Sequence, residues 1–233
     1  MKLIYSILRF AKKREHLEEI QQGHLRLNTL GYYLNYEGYG NRAIADKNET
    51  LIAIYQPEKV RIFIGKDREQ HEIKGVSSPI KIRKNKIAMD NVLCMYAIHA
   101  GRWAEEPIES VDEFVKFLEI NNKNKMFGKN VLHTTNTQEF LNRIVTALTS
   151  QNIEFTMGPV EYIDEQKYNG RIPNKKLGFV KSNNFSYQNE YRLYIPNKSS
   201  DSGIKYLDVG NLSDITAITV FDELKNNIQI EFP

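Results

Sequence analysis

The sequence predicts an α+β fold, one domain over residues 1–233 with a mixed, mostly antiparallel sheet and about three helices. Three observations predict it. Short apolar segments of strand length, about ten of them, recur between Gly, Asn and Pro turns. Only three segments carry helical spacing, and two of those open with capping residues. No internal repeat and no low-complexity stretch of linker length divides the chain.

Residues 2–9 alternate Leu3, Tyr5 and Ile7 against Ile4, Ser6 and Leu8, apolar on both faces, which predicts a buried strand. Residues 11–22 form a charged surface helix on Ala11, Leu17 and Ile20, stopped by Gly23. His24 to Thr29 alternates as a second short strand. Residues 31–49, rich in Gly, Tyr and Asn and without a period, predict a long loop, and long loops inside compact domains are often functional. Leu51 to Tyr55 and Val60 to Ile64 read as strands. Ile80 and Ile82 alternate with Lys81 and Arg83, an edge strand whose basic wet face protects it from mispairing or touches phosphates; the edge reading is favoured.

Asn91 to His99 is the most hydrophobic stretch and predicts a central strand. Ser110 with Glu113 forms a capping box for a helix to about Ile120, and a second capped helix follows over about 137–151 on Phe140, Leu141, Ile144, Val145 and Leu148. Val131 to Thr134 lies between them as a brief strand, and residues 155–162 predict strands broken at Gly158-Pro159. Residues 164–178 read as a loop. The tail alternates through Tyr206–Val209, Ile215–Phe221 and Ile228–Phe232.

Composition narrows the function classes. With 41% hydrophobic and 26% charged residues the chain is an ordinary globular protein, and 13 Tyr suit β-structure and ligand-facing surfaces. A net charge of +3 is below that of a dedicated nucleic-acid binder, so nucleic acid, resting on Lys81 to Lys86, is not favoured as a partner. The single cysteine, Cys94, excludes an internal disulfide and a Cys-based zinc site, and its apolar neighbours predict an inert thiol. The five histidines show no ligand spacing, so no metal is expected. His99, ending the central strand, is favoured as a structural group. Arg42, Asp46 and Glu49 form an acidic and basic loop that is solvated or contacts Mg2+ or a phosphate. No apolar run reaches the length of a membrane span and the N-terminal apolar core is too short for a signal peptide, so a cytoplasmic location without membrane contact is expected.

The densest chemistry lies in Phe179 to Ile195, with Lys181, Ser182, Tyr187, Gln188, Glu190 and Arg192. From Tyr187 the period is two, so Gln188, Glu190, Arg192 and Tyr194 share one face and Tyr187, Asn189, Tyr191 and Leu193 the other. Gln188 and Glu190 side by side on a strand would clamp a hydroxyl-bearing ligand.

An opening strand with Arg9, a short helix, a second strand and a late Gln188-Asn189-Glu190 together resemble the ADP-ribosyltransferase-like layout. The resemblance implies NAD or an NAD-derived nucleotide as ligand. It makes Glu190 the catalytic carboxylate, Gln188 a ribose or acceptor contact, Arg9 the pyrophosphate contact, and Tyr32, Tyr33 or Tyr187 a stacking face. Thr134-Thr135 or Lys181-Ser182 stand in for the Ser-Thr-Ser strand. A wider pattern, Arg9-Phe10, Leu27-Asn28-Thr29-Leu30-Gly31-Tyr32-Tyr33, Arg42, Asp46, Glu49 and Lys181 to Arg192, is similar to an uncharacterised family of small bacterial and phage proteins. That resemblance implies a role in phage–host conflict, in defence or anti-defence, with a nucleotide or a host or phage protein as target. The alternative to an enzyme is a non-catalytic binding module whose contact surface is the Tyr-rich loop 31–49.

Overall fold

The computed structural model describes residues 2–34, 46, 48–66, 71–103, 107–197 and 203–226. It is an α+β protein built on antiparallel sheets, with one short parallel pair, Glu161–Ile163 against Val180–Ser182. The strands, in order, are β1 Lys2–Ala11, β2 His24–Thr29, β3 Leu51–Tyr55, β4 Ile62–Ile64, β5 His71–Ile73, β6 Ile80–Arg83, β7 Asn91–Trp103 and β8 Asn130–Thr134. After these come β9 Thr156–Pro159, β10 Glu161–Ile163, β11 Gly170–Arg171, β12 Val180–Ser182, β13 Glu190–Ile195, β14 Lys205–Asp208 and β15 Thr216–Val220. The helices are α1 Glu15–Gln21, α2 Leu30–Leu34, α3 Val111–Leu118, α4 Thr137–Ser150 and α5 Phe221–Asn226.

The main sheet has eight strands in the order β14-β2-β7-β1-β8-β15, with β13 on the other edge of β7 and β9 beyond it. β7, the apolar stretch, is its axis. It pairs with β13 over Asn91 to Tyr96, with β1 from Tyr96 onward, and with β2 only at Asn91 and Val92. β1 and β2 therefore share one edge of β7 and part around Cys94. A separate three-stranded sheet, β11-β3-β6, leaves β6 as an edge, as its basic alternation predicts.

One face of the main sheet carries Ile7, Leu25, Leu27, Leu93, Met95, Leu193 and Ile195 against Phe140, Leu141, Ile144 and Leu148 of α4. That helix starts where Asn136 Oδ1 accepts from Glu139 N at 3.1 Å, and α3 where Ser110 Oγ accepts from Glu113 N at 3.1 Å. The opposite face buries Leu8, Tyr96, Ile98 and Val131 with Ile120 and Phe221. Gly23 ends the first helical segment at φ +100°, and a Cβ there would lie 2.2 Å from the carbonyl oxygen of Gly210, so only glycine fits.

Four sequence expectations change. The helix expected over 11–22 is shorter, because β1 continues to Ala11 and residues 12–14 bend before α1. The loop expected from residue 31 begins as α2; residues 35–45 and 47, with Arg42, lie outside the described residues, as does the tail segment 228–232. Among the described residues fifteen strands replace the expected ten or so, several only two or three residues long and without a readable period. Most consequential, Tyr187 to Asn189 is not strand: Asn183–Gln188 is a 3-10 turn, and Asn189 reverses it at φ 41°, in the left-handed region.

Candidate functional site

The parting of β1 from β2 opens a cavity of about 210 Å³. Where the two strands separate, the Cys94 carbonyl has no strand partner on that edge, and Arg9 Nη1 donates to it. Phe10 follows on β1, Asn28 comes from β2, Tyr32 and Tyr33 from α2, and Asn124 and Phe127 from the 3-10 turn 122–127. Gln188 and Glu190 close the inner wall with Lys181. The Tyr32 and Tyr33 rings meet edge to face at 5.2 Å, and Tyr33 Oη accepts from Asn28 Nδ2 at 3.4 Å. Burial raises the Tyr33 hydroxyl above its ordinary range, and the neighbouring Cys94 adds to this. It therefore stays a neutral phenol.

Behind Glu190 lies a closed set of four charges. Arg192, with no exposed surface, grips Glu49 with two parallel bonds, Nη1 to Oε2 and Nη2 to Oε1, each 2.7 Å. Its Nε donates to Glu190 Oε1, and Nη1 donates also to the carbonyl of Gly178. Lys181 Nζ donates to Gln188 Oε1 at 2.9 Å and forms ion pairs with Glu190 Oε2 at 2.7 Å and Glu49 Oε1 at 3.4 Å. Two cations against two carboxylates make the set neutral, which is the condition for burying it. Burial pushes the Glu190 carboxyl up, but the charges of Arg192 and Lys181 more than reverse this and hold it well below its usual range. Burial opposes the charge on Lys181 too, and Glu190 with Glu49 overcomes it.

Asp46 sits beside this set, 1% exposed. Its Oδ1 accepts from Asn48 N at 2.8 Å, while its Oδ2 is buried with no hydrogen-bond partner. Burial first, and the Glu49 carboxylate second, raise it to about 6. Burial likewise pushes the Cys94 thiol up to about 12, with Glu190 adding to the shift, so the inert thiol expected from the sequence is what the cavity wall holds.

Comparison with protein families, curated proteins and solved structures finds no match.

Of the residues singled out in the sequence, the structure brings Arg9, Tyr32, Tyr33, Lys181, Gln188 and Glu190 to one cavity. It separates the others. Tyr187 faces away, its ring under Lys123 Nζ at 5.3 Å and its hydroxyl on Met126 Sδ at 3.7 Å. Ser182 caps the turn 183–188. Arg192 lies behind the wall as the partner of Glu49 and Glu190, not as a ligand contact. Thr134 is tied into the sheet, its Oγ1 accepting from Ile7 N at 3.0 Å. Gln188 and Glu190 do not project side by side from a strand, since Gln188 ends the turn and Glu190 begins β13; Lys181 bridges them instead. Glu49 is not a solvated loop residue or a metal contact but half of the Arg192 clamp.

The described residues contain no cluster of three or more potential ligands that would hold a metal ion, and no described helix is long and apolar enough to cross a membrane. Sequence reasoning missed Asn28, Tyr96, Asn124 and Phe127 as cavity residues. Asn28 sat within the noted Leu27 to Tyr33 segment; Asn124 sits in a polar turn that carries no signal of its own.

As chemistry, both Glu190 oxygens are engaged, so it is not a free general base. It is a fixed, paired carboxylate on the inner wall of the cavity. Arg9, at the strand parting, suits an anionic group.

Proposed function

We propose that the cleft between β1 and β2 binds NAD or an NAD-derived nucleotide. The observation that carries this reading is the convergence of Arg9 from one end of the chain with Gln188 and Glu190 from the other on a cavity with aromatic walls. Arginine offers a planar donor fork for phosphate, and aromatic rings offer faces for a base. The likeness to small bacterial and phage proteins supports a cytoplasmic role in phage–host conflict, in which nucleotide occupancy is sensed or sequestered.

Transfer of ADP-ribose is the second reading, favoured by the ionised Glu190 at the wall. In that step the bond between nicotinamide nitrogen and ribose C1′ breaks, nicotinamide leaves with the bonding pair, and an acceptor attacks C1′ and gives up its proton. The carboxylate would stabilise the oxocarbenium-like charge.

Calorimetry with NAD and with ADP-ribose on the purified protein tests the first reading. Micromolar to sub-millimolar binding is expected, weakened about tenfold or more by Arg9→Ala, with the melting temperature followed because Arg9 also serves the Cys94 carbonyl. No binding at millimolar ligand would sink the nucleotide reading in favour of a protein-binding module. Nicotinamide release from NAD, lost in Glu190→Gln, would establish transfer over binding alone.

A further inference from the structure

Two of the small sheets are parts of one antiparallel ribbon. At its root Ala53 opposes Ile82 and Tyr55 opposes Ile80; further out Ile62 opposes Ile73 and Ile64 opposes His71. The connecting segments, 56–61 and 74–79, are equal in length, so β4–β5 keeps the register of β3–β6. The root is anchored: Leu51 and Ile54 pack with Ile163, Ile172 and Val180, and β11 pairs with β3. The outer part is not. β4 and β5 pair only with each other, and Phe63, Ile64 and Ile73 are 47%, 63% and 41% exposed. A lone two-stranded hairpin is marginal in water, and this one adds no side chain to any buried cluster of the described residues.

The charge of the chain is as uneven as its burial. Residues 59–86 carry nine Lys or Arg against three Asp or Glu, a net +6, so with a total of +3 the rest of the chain stands at −3. The modest total that argues against a nucleic-acid partner thus hides one basic segment. Its described cations are all exposed. Arg61 is paired with Glu72 and Lys81 with Glu165. Among the described residues Lys59, Lys66, Lys74, Arg83, Lys84 and Lys86 have no carboxylate partner. We propose that the basic ribbon of β3–β6 and β4–β5 is an arm that docks in the major groove of duplex DNA. Shape decides among anionic partners. The B-form major groove admits a two-stranded ribbon, and there the exposed isoleucines can meet thymine methyl groups. The A-form major groove of RNA is too narrow for side chains to read. An acidic protein would call for an apolar centre with charge at its rim, whereas here cations recur along both strands, Lys59 and Lys66 on one and Lys74 and Arg83 on the other. The cavity takes no part in this contact, so either reading can fail while the other stands.

Fluorescence anisotropy with a labelled, mixed-sequence DNA duplex of about two helical turns tests the arm. A Kd of about a micromolar is expected at about 50 mM salt, weakening about a hundredfold by about 200 mM if about four phosphates are contacted. Lys66→Glu with Lys74→Glu should weaken binding by about tenfold or more, with an unchanged melting temperature because both side chains are exposed. Lys13→Glu with Lys175→Glu makes the same charge change on exposed residues outside the ribbon, and should weaken binding less than about threefold. Equal weakening by the two double variants overturns the arm, since overall charge would then suffice. Duplex RNA bound as tightly as duplex DNA overturns the groove contact. Polyglutamate that displaces the duplex at equal charge overturns it in favour of an acidic protein partner. No duplex binding at about 100 μM protein in low salt overturns it outright.

Discussion

The two faces of β7 and β13 share one backbone and are both buried, yet they are held by opposite physics. Towards α4 stand Leu93, Met95, Tyr191, Leu193 and Ile195, all in the apolar core. Towards Asp46, residues 48–50 and residues 178–189 stand Cys94, Glu190 and Arg192, with Arg192 opposite Cys94 in register and Glu190 opposite Tyr96. The apolar face is stabilised roughly in proportion to area removed from water, so a lost methylene costs a graded amount. The charged face depends on complete neutralisation: Glu49, Lys181, Glu190 and Arg192 balance one another, and removing one leaves a buried charge without its partner. The same face also carries the cavity. Its polar residues are thus held by partners, Arg192 and Glu49 behind the wall and Lys181 within it.

The largest effect expected on this view comes from Arg192→Met. It keeps the volume but strands Glu49, and should cost about 3–5 kcal/mol in urea unfolding. Leu193→Ala, its neighbour on the other face, removes a side chain with no exposed surface and should cost about 2–4 kcal/mol. If Leu193→Ala proves clearly the more damaging of the two, the contrast between graded and all-or-none faces is wrong.

A smaller effect sharpens the contrast through pH. Asp46 is raised from the ordinary 3.8 to about 6, so the folded state binds its proton more tightly than the unfolded chain does. Its contribution to stability is fully present below about pH 4 and is lost as pH rises through 6. Glu190 acts oppositely: its carboxyl is lowered, so its contribution is present above the ordinary 4.5 and lost as pH falls towards its folded value. Asp46→Asn keeps the acceptor for Asn48 N and removes the charge. It should stabilise the protein at pH 7 by about 2 kcal/mol and flatten the stability profile between pH 4 and 6. An unchanged profile in this variant would mean that Asp46 is not buried beside Glu49 as described.

Much of the fold was readable along the chain because its causes are local. The apolar run at Asn91 became the axis of the sheet, and Ser110 and Glu113 started a helix where their spacing placed one. The period of two in Glu190 to Ile195 assigned its two faces correctly. Reading that period back to Tyr187 failed, because a 3-10 turn and a left-handed Asn189 place Gln188 by backbone geometry that alternation does not register.

The candidate site was legible only in part. Arg9, Tyr32, Tyr33, Gln188 and Glu190 could be named from the sequence, since their residue types suggest ligand chemistry wherever the chain carries them. The role of Arg192 could not. It depends on Glu49, 143 positions away, and nothing in either local sequence distinguishes a buried clamp from two solvated charges. The same holds for Asn124, an ordinary turn residue until the turn is packed against the parting of β1 and β2. Periodicity, caps and turn residues set the strands, helices and faces, because those are decided within a few residues. Only the tertiary structure decided which charges neutralise each other and which side chains line a cavity, because burial and pairing are properties of distant segments brought together.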